Sequence, residues 1–163
     1  LAALGITAAH QSLRHPSCDF ARNMMLVAFA GSTLHLSDGA TATLPVAVHA
    51  GGEGGALTAQ QRGDNRRSVH AAWRLHHDNI RHAMANGFYQ GWDLHPAQLV
   101  SRYAATFGFF REGLDAAGAR LKNFVAKSAQ ATRVGAAFDD AATGRGLVNY
   151  VLRAVRSGAI TED

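Results

Sequence analysis

The feature that most constrains the fold is a helical repeat of large side chains in the middle of the chain. These residues recur at spacings of four, three, four and four, namely Val69, Trp73, His76, Ile80 and Met84. Such spacing places the side chains on one face of an α-helix. Ser68 is an available N-cap, and Gly87 is suited to end the helix. We therefore predict an amphipathic helix over residues 68–86.

Two segments with strand character flank this helix. Residues 33–38 alternate in polarity and end in an Asp-Gly pair, whereas residues 88–93 are rich in aromatic side chains. Both patterns are typical of short strands. A strand–helix–strand order predicts two neighbouring parallel strands joined by a right-handed crossover. The expected fold class is therefore α/β.

The remaining chain predicts further helices and one long connection. A helix should begin at Pro16, because proline suits the first helical position. Its apolar residues at 20, 24 and 27 form one stripe, and the apolar run 24–30 is expected to be buried. Residues 39–66 have the composition of a loop. A third helix is predicted from Pro96, and a last one after Asp140.

Composition narrows the class of protein. Hydrophobic residues make up 47% of the 163 and charged residues 17%, which favours a globular domain over a disordered chain. The net charge of +4 comes from scattered arginines without interleaved aromatics, and this argues against a nucleic-acid partner. No apolar run approaches the roughly 20 residues of a membrane span. A single cysteine excludes an intrachain disulfide and is compatible with a reducing cytoplasm.

The strongest candidate chemistry lies at the end of the second predicted strand. If this segment is extended, Asp93 and His95 project to the same side, where they could orient a general base or hold a substrate carboxylate. The alternative is that Asp93 caps the helix beginning at Pro96 and that His95 makes a structural hydrogen bond. Asp38 ends the other predicted strand and would share this face as a substrate-binding residue. It could equally belong to an ordinary Asp-Gly turn.

Two further groups of polar residues are candidates for binding a ligand. Gln11 and Arg14 precede the first predicted helix, where an arginine could bind a carboxylate or phosphate bidentately. A solvated loop face is the alternative. The histidines of the helix over 68–86 suggest a metal site, but the His-Glu-x-x-His arrangement is absent. We interpret them as ordinary residues of an amphipathic helix.

One segment resembles a known family. Gly87-Phe88, Gly91-Trp92-Asp93-Leu94 and His95-Pro96-Ala97-Gln98 resemble the GF-x-G-K-x-x-I-H-P-x-Q segment of citrate lyase β-subunit-like proteins, the HpcH–HpaI aldolase family. Trp92 stands where that family has lysine. Phe138-Asp139-Asp140-Ala141 is similar to the segment that opens the family's final helix, with alanine replacing proline.

The resemblance implies a fold and an activity. It implies the last two βα units of a (β/α)₈ TIM barrel over residues 1–127, followed by a helical extension over residues 128–163. The implied activity is that of a carbon–carbon lyase acting on a small 2-oxo or 2-hydroxy acid or an acyl-thioester through an enolate. Asp139 would act as an acid in a neighbouring subunit of a homo-oligomer, or would simply cap its helix.

The resemblance also implies a cofactor that this chain does not hold by itself. Magnesium, or another divalent cation, is expected to be bound by carboxylates in a missing N-terminal half, because by the resemblance the chain starts just after the strand that carries the family's metal-binding aspartate. Two alternatives stay open. One is phosphoryl transfer on a phosphoenolpyruvate-type substrate, and the other is a non-catalytic binding or oligomerisation module.

Overall fold

The computed structural model describes residues 1–51, 55–134 and 141–161. Its α-helices are α1 (Pro16–Ala28), α2 (Ala59–Ala85), α3 (Leu99–Val134) and α4 (Ala141–Arg156). Short 3₁₀ turns occupy Ala2–Leu4, Ala8–His10 and Pro96–Gln98. The chain divides into two compact units, residues 1–105 and 106–163. The division predicted after residue 127 stays a prediction.

The predicted α/β fold is wrong. Helices account for 65% of the structure, and the described ranges contain no strand or sheet, so the chain is not a portion of a TIM barrel. Segments 33–38 and 88–93 are extended but meet at a single parallel bridge between Ser37 and Gln90. The Asp38 amide donates to the Gln90 carbonyl at 2.9 Å. One bridge does not make a strand, because a sheet needs a ladder of such bonds over several residues and further strands.

Helix α2 provides the core of the first unit. Its predicted face is confirmed from His76 onward, since His76, Ile80 and Met84 are buried. The helix begins much earlier than Ser68. Thr58 caps it by accepting the Gln61 amide, while the Gln61 side chain accepts the Thr58 amide. This reciprocal capping box satisfies two amides that would otherwise lack partners. Part of the predicted loop is therefore helical.

Helix α1 lies where predicted but faces the other way. Val27 is 74% exposed, and Phe20 and Met24 are also exposed, so the predicted burial of this stripe is wrong. The buried residue of α1 is Arg22, which is 2% exposed. A guanidinium is buried only when it is paired, and two aspartates supply that pairing. Ion pairing rather than apolar content therefore decides which face of α1 turns inward.

The second unit contains α3 from Thr106 onward, α4 and the turn after α4. Phe110 and Ala154 are buried in it. The Tyr150 hydroxyl hydrogen-bonds the Phe110 carbonyl at 2.9 Å, and Arg111 Nε donates to the Ala159 carbonyl at 2.9 Å. No helix within the described ranges has both the length and the apolar content that crossing a membrane requires.

Candidate functional site

The first unit contains two clusters in which an arginine holds an aspartate with two nitrogens. The Arg22 cluster consists of Asp19, Arg22, Asp38 and His82. Arg22 Nε and Nη2 donate to the two oxygens of Asp38 at 3.0 and 2.9 Å, and Nη1 donates to Asp19 at 2.8 Å. His82 Nε2 lies 2.7 Å from the same Asp19 oxygen. This cluster ties α1 to α2 and to the segment ending at Asp38.

The electrostatics of the Arg22 cluster favour the charged forms. The hydrogen bond from His82 lowers the pKa of Asp19, against the opposing effect of burial, and Arg22 lowers it further. Burial disfavours the Arg22 cation, but the hydrogen bonds and charges of Asp38 and Asp19 outweigh it and raise the pKa of Arg22. All three guanidinium nitrogens of Arg22 are used, so this cluster is closed.

The Arg102 cluster consists of His76, Asp93, Ser101 and Arg102. Arg102 Nε lies 3.1 Å from both oxygens of Asp93, and Nη2 donates to Oδ1 at 2.8 Å. His76 Nε2 approaches the same Oδ1 at 3.1 Å, and His76 Nδ1 lies 2.8 Å from Ser101 Oγ. Asp93 follows the extended segment after α2, whereas Ser101 and Arg102 lie in the first turn of α3. The cluster therefore links three parts of the unit.

His76 is held as a neutral ring. Burial, followed by the charge of Arg102, lowers its pKa below the ordinary 6.5, although Asp93 acts in the opposite direction. A carboxylate can only accept, so Nε2 carries the proton and donates to Asp93. Nδ1 lies 2.8 Å from Ser101 Oγ, whose single proton is donated to the Gln98 carbonyl at 3.0 Å. The His76 ring therefore lies between Asp93 and the buried Ser101.

The turn that carries Asp93 is fixed by its neighbours. Gln98 is fully buried; its Nε2 donates to the Thr41 carbonyl at 2.9 Å, and its Oε1 accepts the Leu94 amide at 2.7 Å. Trp73 Nε1 of α2 donates to the Ala97 carbonyl at 2.7 Å. These bonds hold the loop 91–98 against α2. The His-Pro-x-Gln motif therefore has a clear structural role.

A small pocket lies between the two clusters and has space for little more than one water molecule. Its lining includes Asp38, Thr41, His76, Asn79, Gly91 and Arg102. Gly91 permits the close approach of the guanidinium, because a Cβ at this position would lie 3.1 Å from Arg102 Nη2. The pocket thus brings the end of segment 33–38 and the Arg102 cluster to one place.

The residues predicted as catalytic meet different surroundings. Asp93 is part of the Arg102 cluster, in the role of an ion-pair partner. His95 is the N-cap of the 3₁₀ turn Pro96–Gln98, and its Nδ1 accepts the Ala97 amide at 3.1 Å. This is the structural hydrogen bond considered as the alternative. Asp139 lies outside the residues that the structure describes.

The residues predicted to bind substrate are not drawn into one site by their hydrogen bonds. Asp38 is paired with Arg22 and lines the pocket. The Gln11 side chain donates to the Ile6 carbonyl at 2.9 Å, and the Arg14 amide donates to Ser12 Oγ at 3.1 Å. Both Gln11 and Arg14 are exposed. The structure therefore favours the solvated-loop interpretation for these two.

The histidines of α2 serve separate purposes. His70 stacks on Trp73, His77 lies 3.1 Å from Asp78, and His82 binds Asp19. Across the described part of the chain, no group of three or more histidine, cysteine or acidic side chains could hold a metal ion. The α2 histidines therefore do not gather around a common point.

Sequence reasoning missed the residues that complete both clusters. Arg22 carried a usable signal, since an arginine three residues after Asp19 in an otherwise apolar helix suggests a buried ion pair. Arg102 lies nine residues after Asp93 with a turn between them, and Ser101 has no distinctive spacing. No pattern in the sequence would have joined them to His76.

Comparison with known proteins places the chain in a family. The model of a family described as a domain of unknown function (DUF6986) matches residues 1–163, and the chain belongs to that family. Neither a curated protein nor a solved structure matches the chain.

Proposed function

We propose that this chain, a member of the DUF6986 family, forms part of a carbon–carbon lyase acting on a small 2-oxo or 2-hydroxy acid or an acyl-thioester. The resemblance of residues 87–98 to the citrate lyase β-subunit-like family supports the reaction class. The observation that carries the proposal is the Arg102 cluster beside the pocket. It offers a carboxylate for proton transfer and a guanidinium for an anionic oxygen.

In this proposal Asp93 is the proton-transfer group. Its Oδ1 accepts hydrogen bonds from His76 and Arg102, whereas Oδ2 accepts one within the described ranges, from Arg102 Nε. Oδ2 therefore keeps a lone pair that can take a proton from the carbon beside a substrate carbonyl. The electron pair left behind forms an enolate, whose oxygen charge the Arg102 guanidinium would offset.

His76 and Arg102 position the Asp93 carboxylate. The neutral ring of His76 donates to Asp93 without adding a charge, and Ser101 fixes the ring from its other nitrogen. The Arg102 guanidinium holds the carboxylate plane with two nitrogens. Preorganised donors of this kind need no rearrangement when charge develops in the reaction.

The divalent cation that the family resemblance implies has no ligand set among the described residues. The role proposed for this chain is confined to substrate binding and proton transfer.

We also propose the setting of such an enzyme. Its partner would be a small-molecule carboxylate rather than nucleic acid, since the arginines form no basic stripe. A homo-oligomer in the cytoplasm fits the family resemblance, and the single cysteine is compatible with a reducing compartment.

Enolate formation can be tested through hydrogen exchange. A protein containing this chain is incubated with pyruvate in deuterium oxide with magnesium, and loss of the methyl proton signal is followed by NMR. We expect catalysed exchange that falls roughly 10²-fold in Arg102→Lys, because lysine lacks the planar pair of donors. The matched control is Arg74→Lys at an exposed position of α2 outside both clusters, and this variant should retain the exchange. No exchange with pyruvate or with an acetyl-thioester would contradict the lyase proposal.

A non-catalytic binding or oligomerisation module is the second candidate. The observation that favours it is the apolar face of α1, where Phe20, Met24 and Val27 are exposed. Large exposed apolar patches mark contact surfaces in many proteins. Sedimentation of the wild type and of Phe20→Ser/Val27→Ser tests this candidate. A mass that falls in the variant, together with absent pyruvate exchange, would favour the module over the lyase.

A further inference from the structure

We propose that the pocket beside the Arg102 cluster is a subsite for one hydroxyl group of the substrate. Asn79 Oδ1 would accept a hydrogen bond from the hydroxyl group, and Arg102 Nη1 would donate one to the hydroxyl oxygen. That the hydroxyl belongs to a small acid rests on the proposed function, whereas the preference for a hydroxyl group rests on the pocket itself. The inference assigns the hydroxyl group of a 2-hydroxy acid to this pocket.

The first argument is an acceptor without a partner. Asn79 lines the pocket and is 6% exposed, and its Oδ1 has no hydrogen-bond partner in the described part of the chain. The other end of the amide is occupied, because Nδ2 donates to Thr41 Oγ1 at 2.9 Å. Buried polar atoms nearly always have a partner in folded proteins. A ligand that donates a proton at this point would supply it.

The second argument is a donor with spare capacity. Arg102 also lines the pocket, and its Nε and Nη2 are used by Asp93. Nη1 makes no hydrogen bond with any residue in the described ranges. Gly91 leaves room at this nitrogen, since a Cβ there would approach Nη1 to 3.3 Å. Arg102 can therefore still donate to a ligand oxygen.

Size and charge select the group that fits. The space suits a single oxygen, because it holds little more than one water molecule. Both nearby aspartates, Asp38 and Asp93, are already neutralised by arginines. A neutral group that donates and accepts at once is required, and a hydroxyl does both. A keto oxygen can accept from Arg102 but has no proton for Asn79.

The test compares two small acids that differ by one hydroxyl. Binding of lactate and of propionate to a protein containing this chain is measured by titration calorimetry. We expect lactate to bind about tenfold more tightly, the effect of one hydrogen bond of ordinary strength. In Asn79→Leu the ratio should fall to about one. Asn23→Leu, the same substitution at an exposed asparagine of α1 that does not line the pocket, is the matched control and should keep the preference.

The outcomes separate the subsite from the reaction. Equal binding of lactate and propionate by the wild type, or a preference that survives Asn79→Leu, would overturn the subsite. If Asn79→Leu fails to fold, Asn79→Leu/Thr41→Val replaces both buried polar groups and serves instead. Deuterium exchange without a lactate preference would overturn the subsite and keep the lyase. A lactate preference without exchange would keep the subsite and contradict the lyase.

Discussion

The Arg22 and Arg102 clusters use the same chemistry for different ends. In each, an arginine holds an aspartate with two nitrogens, and a histidine of α2 binds an aspartate of the cluster. The third guanidinium nitrogen of Arg22 donates to a second aspartate, Asp19, and Arg22 is buried. Arg102 leaves its third nitrogen without a partner among the described residues and lines a pocket. A closed cluster holds elements together, whereas an open one retains a group for a ligand.

The largest effect should come from opening the closed cluster. Arg22→Met leaves Asp38 and Asp19 without their cation in a largely buried place. Removing one partner of a buried pair costs about 3–5 kcal/mol, because the remaining charge is desolvated and unpaired. We expect a loss of this size in the free energy of unfolding, measured by urea denaturation.

The control for Arg22 is an arginine outside both clusters. Arg14→Met, at an exposed position, should change the unfolding free energy by less than about 0.5 kcal/mol. A loss below about 1 kcal/mol for Arg22→Met would mean that the Arg22 cluster does not organise the fold.

A second prediction uses pH to examine the Arg102 cluster. The pKa of His76 in the folded protein lies below 6.5, so at pH 7 the ring is mostly neutral in both the folded and the unfolded chain. As pH falls through 6.5, the unfolded chain binds a proton that the folded chain does not, and stability falls until the folded pKa is passed. Melting temperatures between pH 8 and pH 5 should show this loss.

Two variants test whether this pH dependence of stability comes from His76. His76→Gln removes the titrating ring and should flatten the curve below pH 6.5, whereas exposed His35→Gln should leave it unchanged. An identical slope in His76→Gln and the wild type would show that the buried ring does not carry the proton linkage.

A third prediction returns to the Arg22 cluster in acid. The pKa of Asp19 is lowered chiefly by the hydrogen bond from His82, so this carboxylate stabilises the fold above pH 3.8 and less as pH falls below it. His82→Leu should cost about 1 kcal/mol at pH 7. In this variant the unfolding free energy should also fall less steeply below pH 3.8 than in the wild type. Measuring the unfolding free energy as a function of pH tests both expectations. If the slope below pH 3.8 were the same in His82→Leu and the wild type, the role assigned to the Asp19–His82 hydrogen bond would be contradicted.

An effect of about the same size concerns the support of the Arg102 cluster. Trp73→Phe removes the donor to the Ala97 carbonyl, which fixes the turn after Asp93. We expect a loss of about 1 kcal/mol in unfolding free energy. Trp92→Phe is the control, since Trp92 is 66% exposed and should change stability little. Equal effects of the two substitutions would show that the Trp73 hydrogen bond is unimportant.

The helices were the predictable part of this fold. The repeat through His76, Ile80 and Met84 identified the buried face of α2, because a long amphipathic pattern depends on one helix alone. The start of α2 at Ala59 could also have been predicted from the sequence. Thr58-x-x-Gln61 is the signature of a capping box, and it lies within the stretch interpreted as loop.

The extended segments show where local patterns mislead. Phe88 is almost completely buried, so the aromatic character of 88–93 reflects an anchor in the core rather than a strand. Strand formation depends on partners elsewhere in the chain, and these segments make one bridge. The prediction of which face of α1 is buried was wrong for a related reason. Burial of Arg22 depends on Asp38, sixteen residues away, which no helical period encodes.

The candidate site was predictable in part. Asp93 and Asp38 were identified because each follows an extended segment, and both hold an arginine in the structure. His76 was identified as a residue of the buried face and dismissed as a site residue. Its role depends on Arg102 and Ser101, which are brought to it by the turn after Asp93. Chemistry assembled from three separate segments has no single sequence pattern.

The most direct test of the contrast between the clusters is one paired measurement on Asp93→Asn and Asp38→Asn. Both variants remove the charge from an aspartate held by two arginine nitrogens. For each, the pyruvate exchange rate and the unfolding free energy are determined on the same sample. We predict that Asp93→Asn slows exchange by about 10²-fold with a minor loss of stability, as expected for an acid–base group. Compared with Asp93→Asn, Asp38→Asn should lower the unfolding free energy by a larger amount and the exchange rate by a smaller factor. Equal ratios of rate loss to stability loss in the two variants would contradict the assignment of chemistry to the Arg102 cluster.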